Sequence, residues 1–168
     1  KTASAPHLMW NENKFIAGQT CALELSAAVR HYNVGLARTV HFGKKPQLLK
    51  QTAKAVEEGL EAILDTIKAG ITAGKVEAVW QNIISQYGLK KESRIGYAIG
   101  LGYPPDWGER TISLRKNEQT ILKANNTIHV MLGMWMDDWG MELSETIRVT
   151  ETGNECLTNF PREVHIIE

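Results

Sequence analysis

The apolar residues of this chain change period twice, and that double switch limits the class of fold it can adopt. From Thr20 to Arg30 they alternate with polar ones, placing Cys21, Leu23, Leu25, Ala27 and Val29 on one face and Thr20, Glu24, Ser26 and Arg30 on the other. The pattern repeats from Val34 to Phe42, where Val34, Leu36, Val40 and Phe42 oppose Gly35, Ala37, Thr39 and His41, so the two segments read as a hairpin turning at Tyr32-Asn33. At Pro46 the spacing becomes helical: Leu49, Ala53, Val56, Leu60, Ile63, Leu64 and Ile67 form a stripe that Gly70 ends. A second helix follows the cap-like Thr72, with Val76, Val79, Trp80, Ile83, Ile84 and Tyr87 as its stripe and Gly88 as its stop.

Strand spacing returns in the carboxyl half. Ile128, Val130, Leu132 and Met134 oppose Thr127, His129, Met131 and Gly133, and Met141, Leu143, Ile147 and Val149 oppose Glu142, Ser144, Thr146, Arg148 and Thr150. The expected fold class is therefore α+β: a curved antiparallel sheet with helices packed on its convex face and Glu24, His129, Glu142 and Ser144 gathered on its concave face. Glu145 interrupts an apolar column, where an unpaired charge is costly, so a buried partner such as Arg38 is expected.

Charge and composition narrow the function. Nineteen basic residues balance nineteen acidic ones and are scattered along the chain, which argues against a nucleic-acid partner. No apolar run is long enough to span a bilayer and the amino end lacks a signal-peptide core, so a cytoplasmic protein with no membrane partner is expected. The two cysteines, Cys21 and Cys156, lie far apart in strand-like contexts and read as buried free thiols. With 168 residues and no linker-like segment, a single domain over 1–168 is expected.

The segment from Ser93 to Gly108 carries glycines and aromatics that a plain core does not need. Gly96, Gly100 and Gly102 permit bending and close approach, while Pro104 and Pro105 stiffen a turn presenting Tyr103, Asp106, Trp107 and Glu109. Composition alone fits a rigid loop between strands; a ligand wall is the sharper reading.

Several separated motifs, in order, resemble a known family. Ala3-Ser-Ala-Pro-His7-Leu, Leu36-Ala-Arg-Thr39, Lys68-Ala-Gly-Ile-Thr72, Ile95-Gly-Tyr-Ala-Ile-Gly-Leu, Tyr103-Pro-Pro-Asp-Trp-Gly-Glu109 and Trp139-Gly-Met-Glu-Leu-Ser-Glu145 are similar to the carboxyl-terminal domain of the creatinase/aminopeptidase, or pita-bread, family. Within it they resemble ectoine hydrolases and the Xaa-Pro-peptidase-like proteins grouped with them. The resemblance implies a partial pita-bread domain lacking the family's first helices and amino-terminal domain. It also implies a homodimer, or association with the missing domain.

The resemblance further implies where metal ligands sit in the family's peptidases: two Asp, one His and two Glu, at positions that are Glu24, Gly35, Tyr97, Met131 and Ser144 here. One carboxylate remains, so no metal or other cofactor is expected. The implied activity is a metal-independent hydrolysis of a C–N bond in a small cyclic amidine or amide. A metal-dependent Xaa-Pro aminopeptidase or dipeptidase and a non-catalytic binding or assembly module stand as alternatives. His7 matches the family histidine near the reacting bond and is the expected proton-transfer group. Glu24 and Glu142 are candidates to orient water or an amidinium, although each glutamate alone fits a solvated strand residue. His129 is a candidate donor to substrate or a support for Glu142, and fits a satisfied structural histidine equally well. Tyr97, Tyr103, Asp106, Trp107 and Glu109 are the expected substrate-binding residues, with Tyr97 and Trp107 as aromatic faces for a cationic ring. Asn33-Val-Gly35, Arg110 and Leu132 stand where the family has His-Cys-Pro, His and Pro, which leaves an inactive descendant among the possibilities.

Overall fold

The computed structural model describes residues 12–103 and 106–168. His7 and the Pro104-Pro105 pair therefore lie outside the described residues.

Strands β1 (Thr20–Val29) and β2 (Tyr32–Phe42) form the antiparallel hairpin, followed by α1 (Gln47–Thr66) and α2 (Ala73–Gln86). Six more strands complete the chain: β3 (Gly96–Ile99), β4 (Gly108–Ser113), β5 (Thr127–Trp135), β6 (Gly140–Val149), β7 (Asn154–Cys156) and β8 (His165–Ile167). They make two sheets, one ordered β1-β2-β8 and one ordered β4-β3-β5-β6-β7. Every pairing is antiparallel except the short β2–β8 contact.

The helices arise from the signals expected of them. Thr72 caps α2 by accepting from the Lys75 amide at 3.4 Å, and Gly70 and Gly88 take the left-handed φ of +88° and +68° that ends a helix without steric cost. The α1 and α2 stripes pack on the apolar face of the larger sheet, so Val56, Leu60, Trp80, Ile128, Leu132, Leu143 and Ile147 share one core. Gly59 lets the two helices close up, since a Cβ there would lie 2.3 Å from the Trp80 ring.

Three expectations are corrected. The hairpin turns at Arg30-His31, both at left-handed φ (50° and 69°), and Tyr32 already belongs to β2. Asn33 is spent on holding the β3 end, donating to Gly100 O at 3.2 Å. Second, the four strands do not share one sheet. The hairpin lies against the larger sheet's polar face and joins it through side chains, Ala37 N donating to Ser144 Oγ (2.6 Å) and Gly35 N to Thr146 Oγ1 (3.1 Å). At its turn it also joins through the backbone, Asn33 N donating to Gly100 O (3.0 Å) and Gly102 N to His31 O (2.9 Å). The buried face of β2 is consequently the small and polar one, while the apolar column of β1 is largely exposed, Leu25 to 64% and Val29 to 72%. Third, the glycine-rich segment begins as a buried strand between β4 and β5, where a Cβ on Gly96 would meet His129 O at 2.6 Å. Both cysteines are free, as expected, but half-buried.

Glu145 has the buried partner its position demanded. Its Oε1 lies 2.5 Å from Arg38 Nη2, and Thr158 Oγ1 and Arg162 Nε also donate to the carboxylate.

Candidate active site

The space between the hairpin and the larger sheet collects the polar columns of five strands. Antiparallel register sets His129 opposite Thr146, Met131 opposite Ser144 and Gly133 opposite Glu142, so these side chains share the concave face; Tyr97 of β3 pairs with His129 and joins them. From the hairpin, Glu24 of β1 lies beside Ala37 of β2. The backbone of β2 comes so close that a Cβ on Gly35 would meet His129 Cε1 at 3.1 Å.

A chain of hydrogen bonds runs through this face. Trp107 Nε1 donates to Tyr97 Oη at 2.9 Å, Tyr97 Oη lies 3.3 Å from His129 Nδ1, and His129 Nε2 lies 2.7 Å from Ser144 Oγ, which accepts from Ala37 N. Either tautomer of His129 completes the chain. Burial holds its pKa down to about 4, so the ring is neutral at physiological pH. Both ring nitrogens are engaged by Tyr97 and Ser144, which fits the satisfied structural histidine among the readings of this residue rather than a support for Glu142.

Glu142 is the anomalous group. It is 3% exposed, and its Oε1 has no hydrogen-bond partner among the described residues. Burial first, and then the negative charge of Glu24, push its pKa up to about 8, against the pull of Lys91. Lys91 was not anticipated. It lies within the charged run Lys90-Lys91-Glu92, which reads as solvated, yet its Nζ is buried and donates to the carbonyl of Gly133, directly across from Glu142. Burial lowers the Lys91 pKa to about 8 and Glu142 opposes that shift. Two carboxyl groups and an amine thus share a poorly hydrated face, an arrangement typical of functional sites.

Of the aromatic wall, Tyr97 and Trp107 meet at this face, and the guanidinium of Arg94 lies 4.4 Å above the Tyr97 ring. Tyr103, Asp106 and Glu109 serve the loop itself. Tyr103 stacks on His31 at 4.3 Å, Asp106 Oδ1 accepts from Gly108 N at 2.9 Å, and Glu109 Oε1 accepts from Leu101 N at 3.2 Å. Trp139 packs on the core.

The donor chemistry does not fit a pair of divalent ions. At the positions where the resemblance puts metal ligands, Gly35 offers no side chain, Met131 a thioether, and Tyr97 and Ser144 hydroxyls tied into the chain through His129. Among the described residues no three His, Cys, Asp or Glu side chains are grouped to hold an ion.

The fold is that of a pita-bread domain. The solved Xaa-Pro dipeptidase from Bacillus anthracis superposes with a TM-score of 0.88 at 26% identity, over 98% of this chain and 46% of that one. The dipeptidase from Mycobacterium ulcerans, at 22% identity and a TM-score of 0.90 over 98% of this chain and 44% of that one, shows the fold alone. The chain belongs to metallopeptidase family M24, whose model matches residues 1–151. Among curated relatives it is 38% identical to the ectoine hydrolase of Halomonas elongata over 99% of this chain and 42% of that protein. It is 25% identical to the Xaa-Pro dipeptidase of Pyrococcus horikoshii, over 96% and 46%. The chain thus spans less than half the length of these relatives. No helix among the described residues is long and apolar enough to cross a membrane.

The neutral His129 makes a pH prediction. An unfolded histidine takes up a proton near 6.5 and the folded one only near 4, so stability is lost as pH falls through that window and is constant below it. At about 1.4 kcal/mol per unit the loss is about 3 kcal/mol. Glu142 shifts stability the opposite way in part of this window, but it does so equally in wild type and His129→Gln, so their difference isolates the histidine. Urea unfolding across the acid range should show the wild type losing ground to His129→Gln; a pH-independent difference would refute the buried neutral ring.

Proposed function

We propose that the chain is a metal-independent hydrolase of a C–N bond in a small cyclic amidine or amide, ectoine-hydrolase-like. The observation that carries this reading is the buried, unpartnered Oε1 of Glu142 beside Glu24 and Lys91. The higher identity to an ectoine hydrolase than to the Xaa-Pro dipeptidases supports it. The metal-dependent alternative needs a ligand set that the donor chemistry does not fit.

On this reading Glu24 and Glu142 receive the positive ring, and the faces of Tyr97 and Trp107 flank it. A carboxyl that titrates near neutrality can both orient a water and take its proton. As water adds to the amidine carbon, Glu142 takes its first proton. The C–N bond then breaks as the carbonyl forms, and His7, the proposed donor, protonates the departing nitrogen. The second water proton, lost from the new carbonyl oxygen, restores His7. Lys91 keeps the two carboxylates from repelling one another off the face.

The test is to incubate the purified protein with ectoine, with and without a strong chelator, and follow ring opening by NMR. Turnover that survives chelation is expected, with loss in His7→Ala. Turnover restored only by added divalent metal would establish the peptidase-like alternative, and none under any condition would leave the non-catalytic module. Full activity in His7→Ala would remove the histidine's role.

A further inference from the structure

We infer that Arg94 is the specificity-determining residue for a zwitterionic substrate, its guanidinium holding a carboxylate while Glu24 and Glu142 hold the cationic ring. This rests on the cyclic-amidine reading above and adds to it the residue that selects the anionic end.

Tyr97 is where the two halves of the site meet. Its ring carries the Arg94 guanidinium 4.4 Å from the centroid, and its hydroxyl joins the Trp107–His129 chain on the face that holds the carboxylates. Burial above all favours the neutral phenol, against the hydrogen bond from Trp107, and the nearby charges act more weakly, Glu24 and Glu142 in the direction of burial and Arg94 against it. A cation thus sits on a ring whose hydroxyl bonds into the face bearing the two glutamates.

The Arg94 fork is also unspent. Arg38, Arg148 and Arg162 each hold a carboxylate, whereas the guanidinium of Arg94 has no carboxylate or carbonyl partner among the described residues. The guanidinium sits over the ring, and its planar fork of N–H groups is of the kind that takes a carboxylate two bonds at a time. Lysine in its place would offer a mobile point charge with no such plane. A lone arginine on an open surface would not justify this assignment. Arg94 is itself exposed, but the hydroxyl of the ring beneath it bonds into the face where Glu142 Oε1 is buried with no hydrogen-bond partner among the described residues.

The test compares two ligands, ectoine and the same methylated cyclic amidine without its carboxylate, by ligand-observed NMR titration of wild type, Arg94→Gln and Arg94→Lys. Arg94→Gln should weaken ectoine about ten- to a hundredfold and leave the carboxylate-free ring within about twofold, with Arg94→Lys intermediate. Equal weakening of both ligands, or of neither, would overturn the assignment and leave the hydrolase reading standing. Arg94-dependent binding without ring opening would keep the assignment and overturn the hydrolase reading. Wild type that binds neither ligand would overturn both.

Discussion

Arg38→Met should destabilise the protein by about 3–5 kcal/mol, because it strips a buried carboxylate and four backbone carbonyls of one shared donor. Arg38 is 5% exposed and Glu145 1%. Besides the ion pair at 2.5 Å, Nη1 donates to Ser144 O (2.6 Å) and Ala37 O (2.8 Å), Nη2 to Phe160 O (2.8 Å) and Nε to Pro161 O (2.7 Å). One guanidinium thereby ties the hairpin, β6 and the chain leading to β8. Glu145 keeps Thr158 and Arg162, which places the cost nearer the lower figure. Two measurements check this. Urea unfolding gives the loss, and the double variant with Glu145→Gln should lose less than the two singles combined, because the second change removes the charge the first left stranded. Amide exchange should quicken at Leu157, which donates to Thr146 O where this segment leaves β6. A loss below about 1 kcal/mol would mean that water replaces the guanidinium.

The Arg38–Glu145 pair was legible in the sequence because a charge inside an apolar column has few affordable solutions. The stripes of α1 and α2 and the columns of β5 and β6 were legible for a related reason: each buries one complete face, so periodicity and burial coincide. The hairpin broke that link. Its β1 column of Leu23, Leu25 and Val29 is outward, and β2 turns glycine, alanine and threonine inward because only small side chains let its backbone bond to Ser144 and Thr146. The turn at Arg30-His31 carries none of the glycine or asparagine that marks left-handed backbone, which drew the expected turn to Asn33. Of the site, Glu24, Glu142, His129, Tyr97 and Trp107 came from strand faces and motifs. Lys91 and Arg94 did not, since in Lys-Lys-Glu-Ser-Arg every charge has the signature of a solvated loop and only the tertiary fold reveals which one is buried. Asp106 and Glu109 misled in the opposite sense, as carboxylates in a glycine-rich turn bond most readily to the turn's own amides.

Glu142→Gln should separate stability from activity, raising the first and abolishing most of the second. Burial and Glu24 lift the carboxyl from an unfolded value of 4.5 to about 8, so ionising it costs the folded state more than the unfolded one. The sign follows: the penalty is absent below the unfolded pKa, grows as pH rises between the two values and is complete above about 8. Glutamine keeps the volume and carries no such penalty, so the variant should match wild type below about pH 4 and exceed it by a few kcal/mol near pH 9. At neutral pH the gain is smaller, because the penalty is not yet complete there. If Glu142 moves the proton of the attacking water, ectoine ring opening should fall about a hundred- to ten-thousandfold in the same variant. A stability gap that ignores pH would contradict the buried titration, and unimpaired turnover would take the proton from Glu142. A residue that weakens the fold wherever it is charged persists only where that charge has a use, and the face beside Glu24 and Tyr97 is where the substrate would supply its counter-ion.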